Sequence, residues 1–348
     1  MSRDLLVWQD GPLGRIGLNR PKALNALTFE MTRGIGEALQ GWRDEPSVTA
    51  ILIEGAGERA FCAGGDILHL YNIGRDTPHA GIDFWRDEYR INAMIAHYPK
   101  PYIALMDGIT MGGGVGVSAH GSHRIVTERS SIAMPEVSIG FLPDVGGTHI
   151  LSRAPGQTGL YLGMTGARMN AADAIYAGFA DACIASGQLD ALIAGLKHGD
   201  TPDDVLKQFA RTPQDGMLQP AQAVISRAFD QPTALDCVRQ LQKMAGSGDD
   251  WAQKTLAALR RNAPLSVAAA FEAIHRAARL DTLEQCLELE FRFAARTLYS
   301  HDFYEGVRAA VVDKDRNPQW RPALLEDVTA DMVSAVLAPL GDRQWTVS

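Results

Sequence analysis

Two apolar, buried-type strands in this chain each run into glycine. Val48-Thr-Ala-Ile-Leu-Ile-Glu54 leads into Gly55-Ala-Gly57 and then into the Cys62-Ala-Gly-Gly-Asp66 loop. Pro101-Tyr-Ile-Ala-Leu-Met106 leads into Gly112-Gly-Gly114, followed by a small-residue helix over 115–119. Continuous apolar runs of this length suit strands covered on both faces. Glycine at their ends permits close backbone approach, and in open α/β sheets a ligand lies beside those ends. Alternation with helices predicts right-handed β-α-β crossovers.

Around this centre, Leu5–Trp8 and Gly14–Asn19 read as short strands joined by the turn Gln9-Asp-Gly-Pro12. Thr28 is placed to cap a helix running to about Asp44, with Glu30 in its first turn. Further helices are expected over 83–97, 171–178 and 189–195, and short strands over 124–127 and 131–134. Beyond about Thr201 strand-like runs nearly vanish. Helices are expected over 218–229, 234–245, 250–260, 267–279 and 282–298, with a short one beginning at Asp302. The expected organisation is a mixed α/β core over residues 1–200 and a helical lobe over 201–348.

The 348 residues are 46% hydrophobic and 21% charged, an ordinary globular balance with ample material for a large core. A net charge of −8 with no long basic run argues against a nucleic-acid surface. No apolar stretch approaches the roughly 18 residues of a membrane span. Met1-Ser-Arg-Asp-Leu-Leu-Val-Trp8 does not read as a signal peptide, so a cytoplasmic location is expected. Cys62, Cys183, Cys237 and Cys286 are scattered and form no CxxC, as in reduced proteins. Cys62 sits among glycines, but no histidine is near it in sequence; a small buried thiol is the expectation.

Two acids follow prolines downstream of the glycine triplet: Glu136 after Pro135, and Asp144 in Pro143-Asp-Val-Gly-Gly147. Glycine amides able to stabilise an oxyanion, with two acids to handle water and a leaving group, are the parts of a thioester-cleaving site. Asp144 has a plainer reading as the cap of a helix starting near Val145. Glu88, in Arg86-Asp-Glu-Tyr89, lies in a charged stretch that reads on its own as a solvated helix face. His120, His123 and His149 lack metal-ligand spacing, so no metal is expected. Gly112-Gly-Gly-Val-Gly116 lacks the Lys-Ser/Thr tail of a phosphate-binding loop and the first strand lacks a dinucleotide fingerprint, which disfavours nucleotide hydrolysis and NAD chemistry.

Four ordered motifs, Leu18-Asn-Arg-Pro-Lys-Ala-Leu-Asn-Ala-Leu27, Phe61-Cys-Ala-Gly-Gly-Asp-Ile67, Gly108-Ile-Thr-Met-Gly-Gly-Gly-Val-Gly116 and Met134-Pro-Glu136, resemble the crotonase (enoyl-CoA hydratase/isomerase) superfamily. With Pro143-Asp-Val-Gly-Gly147 and the long helical C-terminal segment, the chain is most similar to its 3-hydroxyisobutyryl-CoA hydrolase branch. The resemblance implies an α/β crotonase (ClpP/crotonase-like) spiral of ββα units with an extended C-terminal helical region. It implies thioester hydrolysis in valine breakdown, an oxyanion hole from the N–H groups of Gly65 and Gly113, and catalytic Glu136 and Asp144. It also implies a substrate contact at Glu88, and CoA contacts at Lys22, Leu24, Ala63, Asp66 and Ile67. CoA belongs to the substrate, so no separate cofactor is expected, and the partners are an acyl-CoA and other copies of the chain in a homo-oligomer. Gly116 stands where hydratases carry a second glutamate, which argues against hydration. The alternatives are a hydratase or isomerase on the same fold and a non-catalytic binding or assembly subunit.

Overall fold

The computed structural model describes residues 3–347. These form two compact units that interleave along the chain. The first comprises residues up to Asp66, Asp87–Ala133 and Arg168–Met217; the second comprises Ile67–Arg86, Met134–Ala167 and the chain from Leu218 onward. The expectation was one division near residue 200. The observed division falls between Met217 and Leu218, and the second unit also takes two earlier segments. Helical segments from the first half of the chain make their contacts with the C-terminal helices, and sequence order does not reveal that.

The first unit is built from ten strands. β1 (Leu5–Asp10) and β2 (Leu13–Leu18) form a hairpin, turning at Gly11 with φ of 63°. Then come β3 (Ala50–Gly55), β4 (Ala60–Cys62), β5 (Tyr102–Met106), β6 (Ile109–Met111), β7 (His123–Val126), β8 (Ser131–Ala133), β9 (Ala182–Ile184) and β10 (Ala210–Arg211). A large sheet runs β1-β2-β3-β5-β7-β9-β10 and a small one runs β4-β6-β8. Neighbours from β2 to β9 are parallel, and only the end strands β1 and β10 pair antiparallel. Each successive pair, β3–β4, β5–β6 and β7–β8, therefore places one strand in each sheet. That repeated step is the spiral the motifs imply.

Register explains the core. Leu13 pairs with Ala50 and Leu52 with Ile103, so side chains two apart along each strand share a face. On that face Leu13, Leu52, Ile103, Leu105, Ile125 and Ile184 pack with Leu192, Leu196 and Val205, which belong to the helices Leu189–Lys197 and Pro202–Phe209. The helix Phe29–Arg43 starts where expected: the Thr28 hydroxyl accepts from the Met31 N–H at 3.1 Å, and Met31, Ile35 and Leu39 bury one stripe.

The second unit is helical. Its C-terminal series is Leu218–Phe229, Ala234–Gly246, Asp250–Leu259, Pro264–Ala277, Leu283–Thr297 and His301–Val307. Side chains of Thr233, Asp249, Thr282 and Ser300 cap four of these, and Thr282 forms a full capping box with Gln285. The helix Thr158–Thr165 was not anticipated; the helix Ile67–Asp76 begins directly after Asp66, and Gly147–Leu151 begins two residues beyond the start near Val145 that the capping reading of Asp144 gave. The helix Pro78–Ala96 contributes its first residues, through Arg86, to this unit and the rest to the first. Trp85 and Phe141 stack with centroids 5.3 Å apart, and Phe293 meets Phe141 edge-on.

Leu52 is fully buried in the main cluster. Leu52→Ala is predicted to lower stability by about 2–5 kcal/mol, since removing a buried leucine leaves a cavity. Urea unfolding measures it; a loss under about 1 kcal/mol contradicts this core.

Candidate active site

In the first unit, strand pairing brings two glycine-rich loops together. Parallel β4–β6 pairing sets Ala60 opposite Ile109 and Cys62 opposite Thr110, so residues 62–66 and 111–114 leave the small sheet side by side. The approach is close. A β-carbon on Gly114 would stand 2.3 Å from the Cys62 carbonyl oxygen, and one on Gly64 would stand 3.3 Å from that of Met111. Gly64, with φ of 108°, occupies backbone space that side-chain-bearing residues avoid.

A second ladder fixes Gly65. Leu27 donates its N–H to Gly64 and accepts from the N–H of Asp66, each at 2.8 Å, forming a parallel bridge to Gly65. The bridge uses the groups on either side of Gly65, so the Gly65 N–H faces away from Leu27. Its nitrogen lies 3.3 Å from the point where a β-carbon on Gly113 would stand. Gly113 opens the short helix Gly113–Gly116. The structure thus brings the two predicted oxyanion residues together.

Glu88 joins them. Its Oε1 lies 2.3 Å from that same Gly113 β-carbon position, and the residue is only 3% exposed. The solvated-face reading of Glu88 is therefore set aside. Asn92, one turn further on, is fully buried as well. Cys62 is buried, and burial pushes its thiol up to about 12, with the Glu88 charge adding to the rise. It is no nucleophile near neutral pH.

The expected CoA residues divide. Leu24, in the left-handed region at φ of 51°, accepts from the Ala63 N–H at 3.0 Å, and both are half-buried. Asp66 receives the Arg20 guanidinium at 3.0 Å. Lys22 is exposed on a single turn, Pro21–Ala23. Ile67 opens the helix Ile67–Asp76 and counts with the second unit. Asn25 was not singled out, yet it is the pin of this loop. Fully buried and at φ of 57°, it donates to the carbonyls of Ala56 and Ala60 at 3.0 and 2.8 Å and accepts from the Arg20 N–H at 2.9 Å. Its place in the Leu18–Leu27 motif was the available signal.

Glu136 and Asp144 belong to the second unit and are 6% and 5% exposed. Glu136 starts the turn Glu136–Ile139, whose end at Gly140 (φ of 75°) folds back so that Phe141 donates to the Glu136 carbonyl at 3.1 Å. Gly140 packs against backbone: a β-carbon there would stand 2.3 Å from the Asp302 carbonyl oxygen. Asp144 is not the cap of the next helix. That helix is Gly147–Leu151, its cap position is Gly146, and no local side chain caps it.

The cap comes from Glu290. This fully buried carboxylate on the helix Leu283–Thr297 accepts from the Gly146 N–H at 2.8 Å, from the Thr148 N–H at 2.9 Å, and from the Thr148 hydroxyl. Burial pushes its carboxyl up to about 8; the Thr148 and Gly146 donors oppose that rise and the Asp144 charge adds to it. Sequence reading missed Glu290. The signal was an acid on the apolar stripe of a helix, one turn from Cys286, Leu287 and Ala294, all buried.

The chain belongs to the enoyl-CoA hydratase/isomerase family, whose profile matches residues 13–337. It is similar to the mitochondrial 3-hydroxyisobutyryl-CoA hydrolase of Gallus gallus, 37% identical over 98% of this chain and 90% of the relative. The Xenopus laevis protein of that name is 38% identical, covering 97% of this chain and 89% of its own length. Among solved structures, a carnitinyl-CoA dehydratase from Mycobacterium thermoresistibile superposes with a TM-score of 0.94 at 41% identity, and an enoyl-CoA hydratase from Rhodobacter sphaeroides with 0.92 at 45%, each covering 99% of both chains. The crotonase fold is the one expected. Both curated relatives are mitochondrial by name. Among the described residues, no helix is long and apolar enough to cross a membrane.

Gly113→Ala should place a methyl group against Glu88 and beside the Gly65 amide. We expect turnover of an acyl-CoA thioester to fall about 100-fold, the scale of losing one oxyanion donor, with the melting midpoint nearly unchanged; activity within twofold of wild type contradicts the cradle. A pH experiment addresses Glu290. Its folded-state proton is held above the ordinary carboxyl value, so the folded chain binds more protons than the unfolded chain between about pH 4.5 and 8. Its contribution to stability is present below pH 4.5 and is lost as pH rises to 8. Glu290→Gln should shrink the stability difference between pH 5 and pH 8, measured by urea unfolding; an unchanged difference contradicts the raised value.

Proposed function

We propose that this protein is an acyl-CoA thioester hydrolase that converts 3-hydroxyisobutyryl-CoA to 3-hydroxyisobutyrate and CoA, a step of valine breakdown. The observation that carries the reading is the cradle in the first unit: the Gly65 amide beside Gly113, with the buried Glu88 carboxylate against the same glycine. In this reaction the two glycine amides receive the thioester oxygen as it gains charge. Glu88 accepts the hydrogen bond of the acyl 3-hydroxyl. The Glu136 carboxylate adds to the carbonyl carbon, the carbon–sulfur bond breaks, and CoA leaves as the thiol. Water then opens the resulting mixed anhydride, regenerating Glu136 and releasing the hydroxy acid, while Asp144 steers water or protonates the departing sulfur.

The competing route is direct attack by water with Glu136 as general base. A single turnover in heavy-oxygen water separates the two: label in the Glu136 carboxylate supports the anhydride, and its absence supports direct attack. CoA enters as part of the substrate, its nucleotide end assigned to Leu24, Ala63, Asp66 and Ile67 and its phosphates to the exposed Lys22 ammonium. The cytoplasm is the assigned compartment; the four free, buried cysteines suit any reducing compartment, and the curated relatives are mitochondrial by name.

Hydration is the second reading, prompted by the names of the two solved structures. Against it, Gly116 lies buried in the helix Gly113–Gly116 and brings no carboxylate to hold water against an alkene. A panel of short acyl-CoA thioesters decides. Free thiol should appear from 3-hydroxyisobutyryl-CoA, and the alkene absorbance of crotonyl-CoA should persist; alkene loss without thiol release contradicts hydrolysis. Glu136→Gln should reduce thiol release at least about 1,000-fold and leave CoA affinity within twofold. Equal activity in the variant removes Glu136 from the mechanism, and no thiol release from the wild-type chain on any thioester of the panel is the outcome a non-catalytic subunit would give.

A further inference from the structure

We propose that Glu290 is the positioning residue for Asp144, holding from a distant helix the turn on which that acid sits. The proposal rests on the reading of Asp144 as a working acid of the hydrolysis. Residues 144–147 cannot hold their shape through local chemistry alone. Val145, a β-branched residue, lies in the left-handed region at φ of 51°, and Gly146 follows at 78°. β-Branched side chains disfavour that region strongly, and such conformations persist only where the surroundings impose them. The helix that follows starts on a glycine with no side chain to cap it.

Glu290 supplies what the turn lacks. One carboxyl oxygen takes the Gly146 N–H at 2.8 Å; the other takes the Thr148 N–H at 2.9 Å and the Thr148 hydroxyl. Among the described residues no cation pairs with it. Its hydrogen-bonding capacity therefore goes to the one turn whose first residue is Asp144. A buried carboxyl without a cation is costly. Gly146, at φ of 78°, lies outside the extended backbone of an ordinary serine or aspartate cap. The acid that serves these donors therefore comes from 144 residues along the chain, and the turn it fixes is the one that begins at Asp144. Its own carbonyl accepts from the Gly147 N–H at 2.6 Å inside the clamp.

The test compares Asp144→Asn, Glu290→Gln and the double variant on 3-hydroxyisobutyryl-CoA, with melting curves to establish folding. Glutamine keeps one acceptor oxygen and turns the other into an NH₂ that cannot accept from Gly146. We expect Glu290→Gln to lower kcat about 10- to 100-fold, the scale of a small misplacement of a working group, with KM within twofold. The double variant should be no slower than Asp144→Asn alone. Wild-type kcat in folded Glu290→Gln, a change confined to KM, or losses that multiply in the double variant would each overturn the proposal while leaving Asp144 in place. Wild-type kcat in Asp144→Asn would instead remove the reading beneath it, and the proposal with it. Should Glu290→Gln not fold, Thr148→Val deletes the hydroxyl donor alone: a threefold or greater loss of kcat at constant KM supports the clamp, and unchanged kcat overturns it.

Discussion

Backbone approaching backbone without an intervening side chain is the constraint on which the first unit depends. Strand β4 and the helix Gly113–Gly116 are so close that a β-carbon on Gly114 would enter the Cys62 peptide. That contact sets the Gly65 amide beside Gly113, and the Leu27 bridge turns the amide away from its own ladder. Asn25 and Arg20 hold the loop from the other side through hydrogen bonds to Ala56, Ala60, Ala26 and Asp66. The cradle is made of peptide groups, and peptide groups in a fixed lattice of hydrogen bonds reorganise little when charge develops nearby. Preorganised donors of that kind are among the most effective catalytic devices proteins have.

The second unit solves a different problem, the burial of acids. Glu136, Asp144 and Glu290 all lie almost wholly away from solvent. The stretch bearing the first two is confined by backbone packing at Gly140, by the hydrogen bond from the Ala263 N–H to the Val137 carbonyl at 2.9 Å, and by the Glu290 clamp. Buried carboxyls have perturbed proton affinities, and Glu290 shows this plainly through its desolvation.

Much of this was legible in the amino-acid sequence, for identifiable reasons. The helix Phe29–Arg43 and the C-terminal helices carried caps and long apolar stripes, and their observed ends fall within a few residues of expectation. Strands β4, β6 and β9 are three residues long and β10 two, too short for a periodicity of two to register. The helix Gly147–Leu151 is capped by a residue far away in sequence, so the local signal, an aspartate before Val145, marked a helix but named the wrong cap and a start two residues early. Gly65 and Gly113 were named through the family motifs, and the need for glycine at Gly113 shows in the space a β-carbon would take from Glu88. Glu88 stayed undecided because a helix face is buried or solvated only by what packs on it. Glu290 was invisible to motif reading, and its signal was an acid among apolar neighbours.

The central claim is that the Gly65 and Gly113 amides polarise a CoA-linked carbonyl. Isotope-edited infrared spectroscopy tests it most directly, with a carbon-13-labelled thioester bound to the Glu136→Gln protein so that hydrolysis does not intervene. The account predicts that the labelled carbonyl stretch moves to lower frequency on binding, and that the added methyl of Gly113→Ala in the same background abolishes the shift. A bound thioester vibrating as it does in water would contradict the account.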